Sequence, residues 1–359
     1  MQFGARVAGD RPVFTIHHFT ASRVKSFVAT LPLCLALLAV HAVHPGTPAV
    51  AQTGALTRVL LDTDANNELD DQHAIAYMLF SGDVFDVEAI TVNRTRGGGN
   101  VEQQAEEAER ITTLAGLRRV FPAYRGANGS FAEIAPHVGE RNFDGAAAVN
   151  EIITQAKASG TRLVLVPIGK LTNVALALRK DPSIASKLRI VWLGSNYPDA
   201  GEYNQENDEG ALQYLLDTDV PFEIALVRYG TQTGTDHVRV TREEIRARMP
   251  GKGPRIRVPV IGRHGGRFDT FGDYSVSLFD NIELSGTPPS RALYDMAAVA
   301  IVKNPAWAQP RKIPAPKLEN GKWVERPDNP RMITLWENFD RDAILKDFYA
   351  TMDRPVLAR

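Results

Sequence analysis

The sequence predicts an α/β chain with a mainly parallel central sheet and helices on both faces. Two observations carry this expectation. Short runs rich in Val, Ile and Leu alternate along the chain with segments whose apolar residues recur at helical spacing. The runs are also apolar at nearly every position, as strands covered on both faces are.

The elements follow in order. Val59–Leu61 is a strand, and Asp70–Phe80 carries Ala74, Ala76, Met78 and Leu79 at helical spacing. Asp70 and Asp71 suit the first turn of that helix, because carboxylates favour helix N-termini. Val87–Val92 is the second strand, Arg94–Asn100 a loop with Gly97-Gly98-Gly99, and Val101–Ala115 a helix. Val120–Tyr124 is expected as a strand, then Ala146–Ala158 as a helix and Arg162–Pro167 as a strand. Leu171–Leu178 forms a helix before Asp181-Pro182; Leu188–Leu193, Glu209–Leu216 and Phe222–Val227 continue as strand, helix and strand. The rhythm breaks after Arg228. Residues 229–288, rich in Gly, Arg and aromatics, are expected as an inserted lobe with short helices such as Arg242–Met249. Arg291–Val302 is a strong helix, 304–330 a loop or small hairpin, and Asn338–Tyr349 a closing helix.

The 359 residues are 44% hydrophobic, enough for a sizeable core. Lys and Arg number 41 against 42 Asp and Glu, a balance that gives no support to binding a nucleic-acid polymer. Arg23 and Lys25 precede the apolar run Phe27–Val43, which is followed by Pro45, Pro48 and Ala49-Val50-Ala51. A basic start, an apolar segment and an Ala-x-Ala site read as a secretory signal over residues 1–51. The expected mature part is then 52–359, exported to the periplasm or beyond. His41, His44 and the prolines argue against a stable membrane anchor. Cys34 is the only cysteine and lies inside this leader, so no disulfide, thiol nucleophile or Cys-ligated zinc is expected after cleavage.

The most informative stretch is Asp62-Thr63-Asp64-Ala65-Asn66-Asn67-Glu68-Leu69-Asp70-Asp71, five acidic residues in ten positions directly after an apolar strand. Open α/β sheets bind ligands at the carboxyl ends of their strands. Carboxylates this close repel unless a cation or shared protons relieve them, and a hard divalent cation held by oxygen is the simplest relief. An EF-hand needs Gly and Glu where Asn67 and His73 stand, so that reading fails. A haloacid-dehalogenase-type phosphatase also places an Asp-x-Asp pair after a strand, which leaves open a phosphohydrolase with Asp62 as nucleophile. Gly97-Gly98-Gly99 lacks phosphate-loop spacing and reads as a turn leading to Asn100.

Four segments together resemble one family. The acidic loop resembles the Asp-x-Asp…Asp-Asp signature of inosine–uridine-preferring nucleoside N-ribohydrolases. Pro167-Ile168-Gly169-Lys170-Leu171-Thr172-Asn173 resembles its Pro-Thr-Gly-Pro-Leu-Thr-Asn segment. Asn196…Glu202-Tyr203-Asn204…Asp208 resembles its Asn…Glu-Phe-Asn…Asp segment, and Tyr294-Asp295 stands where the family carries His-Asp. The acidic loop also resembles a secreted, carbohydrate-associated branch of that superfamily.

The resemblance implies a calcium-dependent enzyme that hydrolyses the N-glycosidic bond of a nucleoside or small riboside. It implies that Asp64, Asp71 and Asp295 give carboxylate oxygens to Ca2+ and Ile168 a backbone carbonyl, with Asp62 orienting the loop from behind. It further implies Asp64 as general base, and Asp70, Asn100, Asn196, Glu202 and Asn204 as holders of the ribose hydroxyls. A homo-oligomer stays open, as does a non-catalytic glycan-binding relative that keeps the metal loop.

The chain departs from the pattern in three places. Asp64 and Asp70 are two residues further apart than usual, so an ungapped alignment would put Asn66 at the base position. The family's leaving-group His is Tyr294 here, and Asn142-Phe143-Asp144-Gly145 replaces its His-Gly segment. The leaving-group acid is therefore open, with His264, Tyr274 and Asp273 as candidates.

Overall fold

A computed structural model describes residues 55–359. The expected leader, 1–51, and Cys34 within it lie outside the described residues. The chain runs β1 (Thr57–Thr63), α1 (Asp70–Leu79), β2 (Phe85–Val92), α2 (Val101–Leu114), β3 (Ala123–Arg125), α3 (Phe131–Ile134), α4 (Ala146–Lys157), β4 (Leu163–Pro167) and α5 (Thr172–Lys180). It continues with β5 (Leu188–Leu193), α6 (Tyr203–Asn207), α7 (Glu209–Asp217) and β6 (Phe222–Ala225). Then come β7 (Arg239–Thr241), α8 (Arg242–Arg248), β8 (Val260–Ile261), β9 (Arg267–Phe268), α9 (Phe271–Asp280), β10 (Ser290–Ala292) and α10 (Tyr294–Lys303). The last part holds β11 (Gln309–Pro314), β12 (Lys317–Glu319), β13 (Lys322–Val324), β14 (Met332–Glu337) and α11 (Arg341–Asp353).

The central sheet has the order β11-β14-β6-β5-β4-β1-β2-β3. All neighbours are parallel except β11 and β14. Side chains on a strand alternate between faces, so a run apolar at every position feeds two cores. Val59 and Leu61 of β1 and Val164 and Val166 of β4 pack with α1, α2, α10 and α11 on one side. Leu60, Leu163 and Leu165 pack with α4, α5 and α7 on the other. The expected α/β sandwich is thus observed.

From β1 the sheet grows one way through β2 and β3 and the other way through β4, β5 and β6. The reversal lies between β1 and β4, where ligands bind in doubly wound sheets. Asp62 pairs with Pro167 there, and the Ile168 N–H donates to the Asp62 carbonyl at 2.8 Å. The ends of these two strands therefore hold Asp64 and Ile168 side by side.

Residues 229–288 bring Ile245, Met249, Phe271, Tyr274 and Phe279 into the same apolar cluster as α1 and α10. The expected helix from Arg291 starts instead at Tyr294, because Ser290–Ala292 pairs antiparallel with β7. The 304–330 region contains the hairpin β12–β13, turned by Asn320 and Gly321 at positive φ of 52° and 74°. Beyond it β14 extends the sheet beside β6, a strand the sequence reading did not include. Among the described residues no helix is long and apolar enough to cross a membrane.

Candidate active site

At the reversal point lies a cavity of about 200 Å³. Asp64, Asp70, Asp71, Ile168, Glu202, Asn204 and Asp295 all line it. Asp64 follows β1, and a turn closed by the Asn67 N–H on the Asp64 carbonyl leads into α1. Asp70 and Asp71 occupy the first turn of α1, and Asp295 the first turn of α10. Neither helix has a side-chain cap, so two helix N-termini, each favourable to negative charge, meet at one cavity. Asp71 accepts the Thr63 hydroxyl and Asp64 the Thr95 hydroxyl.

These carboxylates are almost wholly buried. Burial pushes the Asp64 and Asp70 carboxyls up to about 7, with the charges of neighbouring carboxylates adding to it. Burial, then repulsion from Asp64 and Asp70, holds Asp71 well above the usual carboxylate range. Asp295 is raised in the same way, by burial and then by Asp70, Asp71 and Asp64. Oxygens of Asp70, Asp71 and Asp295 lie within 4.8 Å of one another. Such a set is unstable when fully ionised and is relieved by a cation. An all-oxygen donor set suits a hard divalent ion and lacks the sulfur and nitrogen donors that select zinc. The residues therefore fit a metal. The tight trio contains Asp70 rather than Asp64, which stands beside it in the same cavity.

The remaining expected residues divide. Asp62 is fully buried outside the cavity. Its oxygens accept from Thr91 Oγ1 at 2.7 Å, Asn173 Nδ2 at 2.8 Å and Asn93 Nδ2 at 3.0 Å, which tie the end of β1 to β2 and α5. Glu202 lines the cavity but also accepts the backbone N–H groups of Ser195, Asn204 and Gln205 at 2.8–3.0 Å. Asn204 Nδ2 donates to the Ile168 carbonyl at 3.0 Å and the Leu193 carbonyl at 3.2 Å, which holds both strand ends. Gly169 is needed because a Cβ there would lie 2.7 Å from Asp64 Oδ1.

Two expected sugar contacts do not line the cavity. Asn100 does not line the cavity; it is exposed and caps α2, accepting from the Gln103 N–H at 3.1 Å in a reciprocal capping box. Asn196 also does not line it. Its amide donates to the Gly201 carbonyl at 2.9 Å and accepts the Tyr229 N–H at 3.2 Å, which braces the loop beneath. Asn66 donates its amide to the Gly98 carbonyl and does not line the cavity, so the geometry favours Asp64 over Asn66 as base.

None of the three leaving-group candidates lines the cavity. Tyr274 donates to Glu107 at 2.6 Å, and Asp273 accepts the Gly251 N–H and the Thr270 hydroxyl at the start of α9. The cavity is instead completed by Asn67, Glu68, Tyr203, Tyr229, Arg291 and Tyr294. Tyr203 was visible only as the neighbour of Glu202. Tyr229 and Arg291 carried no sequence signal, since their place depends on distant packing.

Fold and cavity together define a doubly wound α/β protein with an oxygen-lined cation cavity at the switch point. Residues 59–345 match the family described as inosine-uridine preferring nucleoside hydrolase, and the chain belongs to that metal-dependent family. The pyrimidine-specific ribonucleoside hydrolase RihB of Shigella sonnei (strain Ss046) is 28% identical over 165 residues, 44% of this chain and 47% of that protein. RihB of Escherichia coli O1:K1 / APEC is likewise 28% identical over 165 residues. The chain spans about half the length of these curated relatives. The purine-preferring ribonucleoside hydrolase from Gardnerella vaginalis superposes with a TM-score of 0.63 at 19% identity, covering 83% of this chain and 98% of that one. The inosine-uridine preferring nucleoside hydrolase from Bacillus anthracis gives 0.57 at 16% identity, covering 83% and 99%. At these identities the structural likeness shows the fold.

Proposed function

We propose that this chain hydrolyses the N-glycosidic bond of a nucleoside or similar small riboside and uses Ca2+ as its metal. The observation that carries the reading is the convergence of Asp64, Asp70, Asp71 and Asp295 on one buried cavity in a member of this family. Breaking the bond builds positive charge on the sugar, which surrounding carboxylates stabilise. Asp70, Asp71 and Asp295 would hold the cation, with Asp64 and the Ile168 carbonyl beside them. When bound, a divalent cation polarises water and fixes its position. Asp64 then takes the proton of the attacking water. Asp70, Glu202 and Asn204 grip sugar hydroxyls and set the ring for attack. The cavity is smaller than the roughly 300 Å³ at which drug-sized pockets begin, which suits a single sugar ring with its aglycone at the mouth.

An Asp62 nucleophile for phosphoryl transfer is disfavoured, because Asp62 lies outside the cavity with both oxygens occupied. The test is a panel of nucleosides assayed for free ribose, with chelator and after returning Ca2+, Mg2+ or Mn2+ singly. Ribose release that stops with chelator and returns best with Ca2+ is expected. No release from any nucleoside under any metal would overturn the reading and leave sugar binding without turnover.

A further inference from the structure

We propose that Arg291 stabilises the departing aglycone as an anion, so that this site favours ribosides whose aglycone carries a carbonyl oxygen near the cleaved bond. The inference deepens the riboside reading of the same cavity and rests on it.

Three observations lead there. First, Arg291 is the one cation among the described residues lining a cavity that also holds Asp64, Glu68, Asp70, Asp71, Glu202 and Asp295. Second, its guanidinium is under-used. The side chain is 19% exposed, it pairs with the more exposed Glu68, and its Nε is buried with no hydrogen-bond partner. Although Nε itself is enclosed, the part of the side chain that stays exposed lines the cavity, where an acceptor from outside the chain can reach the guanidinium. Third, Tyr294, which stands where the family carries its leaving-group His, is committed elsewhere. It donates its hydroxyl proton to Asp236 Oδ1 at 2.6 Å. Asp236 is itself held by Arg239 Nη1 at 2.8 Å and the Gly230 N–H at 2.9 Å.

The surroundings place an aglycone beside Arg291. Tyr229 and Tyr294 stand edge to face with ring centres 5.9 Å apart. Both line the carboxylate cavity, and both line an adjoining open pocket with Thr231, Gln232 and Asp236. The Arg291 guanidinium carbon lies 5.9 Å from the centre of the Tyr294 ring. With the sugar against Asp70 and Glu202, an aglycone at the mouth would lie against this wall.

Arginine supplies charge without supplying a proton. In the step, the bond from the anomeric carbon to the aglycone nitrogen breaks and its electron pair stays on the aglycone. Water oxygen bonds to the anomeric carbon, and its proton passes to Asp64. The aglycone anion, delocalised onto its carbonyl oxygen, is held by Arg291 and takes a proton from solvent after release.

The test compares Arg291→Gln with the unaltered protein on uridine, inosine and p-nitrophenyl ribofuranoside, whose phenolate leaves readily without assistance. Removing a charged donor aimed at developing negative charge should lower kcat on uridine, whose carbonyl adjoins the cleaved bond, on the order of 100-fold, against about tenfold or less on the nitrophenyl riboside and on inosine, whose carbonyl lies on the far ring. Glu68→Gln frees the guanidinium from its pair but keeps it, and should preserve the unaltered ratio between substrates. Equal losses on all substrates, or no loss, would overturn the role of Arg291. Failure of the unaltered protein to cleave any riboside would instead remove the functional reading itself, and this shows before any variant is compared.

Discussion

Replacing Asp295 with Asn tests the charge argument most directly. Two carboxylates whose oxygens lie within 4.8 Å of each other repel by about 3.5 kcal/mol or more when both are ionised, at an effective dielectric constant near 20. Asp295 faces two such partners, Asp70 and Asp71. Raised pKa values and the positive ends of α1 and α10 already relieve much of that repulsion, so roughly 1–2 kcal/mol should remain to be recovered. In chelator at pH 8, Asp295→Asn should therefore melt higher than the unaltered protein, by roughly 1–3 °C for a domain of this size. In saturating Ca2+ the order should reverse. Bound ion at 100 times its Kd stabilises by about 2.7 kcal/mol, and the variant would lose most of that gain. Differential scanning fluorimetry in the two buffers gives all four melting temperatures. A variant that melts lower than the unaltered protein in chelator, or that keeps the full Ca2+ shift, would refute the reasoning.

The remaining predictions concern the same cavity. Burial raises Asp64 and Asp70 to about 7 from an ordinary 3.8, so the unfolded chain holds fewer protons than the folded one between these values. Their contribution to stability is full below about 4 and is lost as pH rises through 7, and a melting curve in chelator should decline across that window while Ca2+ restores it. Asp64→Asn should lower kcat by about 10²–10⁴-fold with an unchanged circular dichroism spectrum; a near-normal rate would remove Asp64 as base. Asn100→Ala should cost about 1 kcal/mol of stability through loss of the α2 cap yet leave kcat/KM for nucleosides within a few fold. A selective rise in KM would instead return Asn100 to the sugar.

What could be read from the sequence follows from how local each signal is. Strands β1, β4, β5 and β6 were legible because both faces are covered and the runs are mostly apolar, with Arg189 and Glu223 the half-buried exceptions in β5 and β6. Strand β14 was not, because Met332 is exposed and Thr334 half-buried, and its place beside β6 depends on pairing across more than a hundred residues. The carboxylates were legible because no fold needs Asp64, Asp70 and Asp71 so close merely to start a helix. Asn100 stands at the start of α2, where a local cue was available. Gln103 three residues on marks a capping box, and that was present in the sequence. Arg291 escaped notice because its charge gains meaning only when α10 brings it over a cavity built by α1.

On the proposed reading, the meeting of the α1 and α10 N-termini also sets when this molecule could take up its ion. Asp70 and Asp71 emerge early in synthesis, whereas Asp295 follows only after most of the sheet has been made. On the proposed reading, a nascent chain would offer Asp70 and Asp71 without the third carboxylate of the trio. Loading would then be a final event, and ion retention would report that the two ends of the polypeptide have come together.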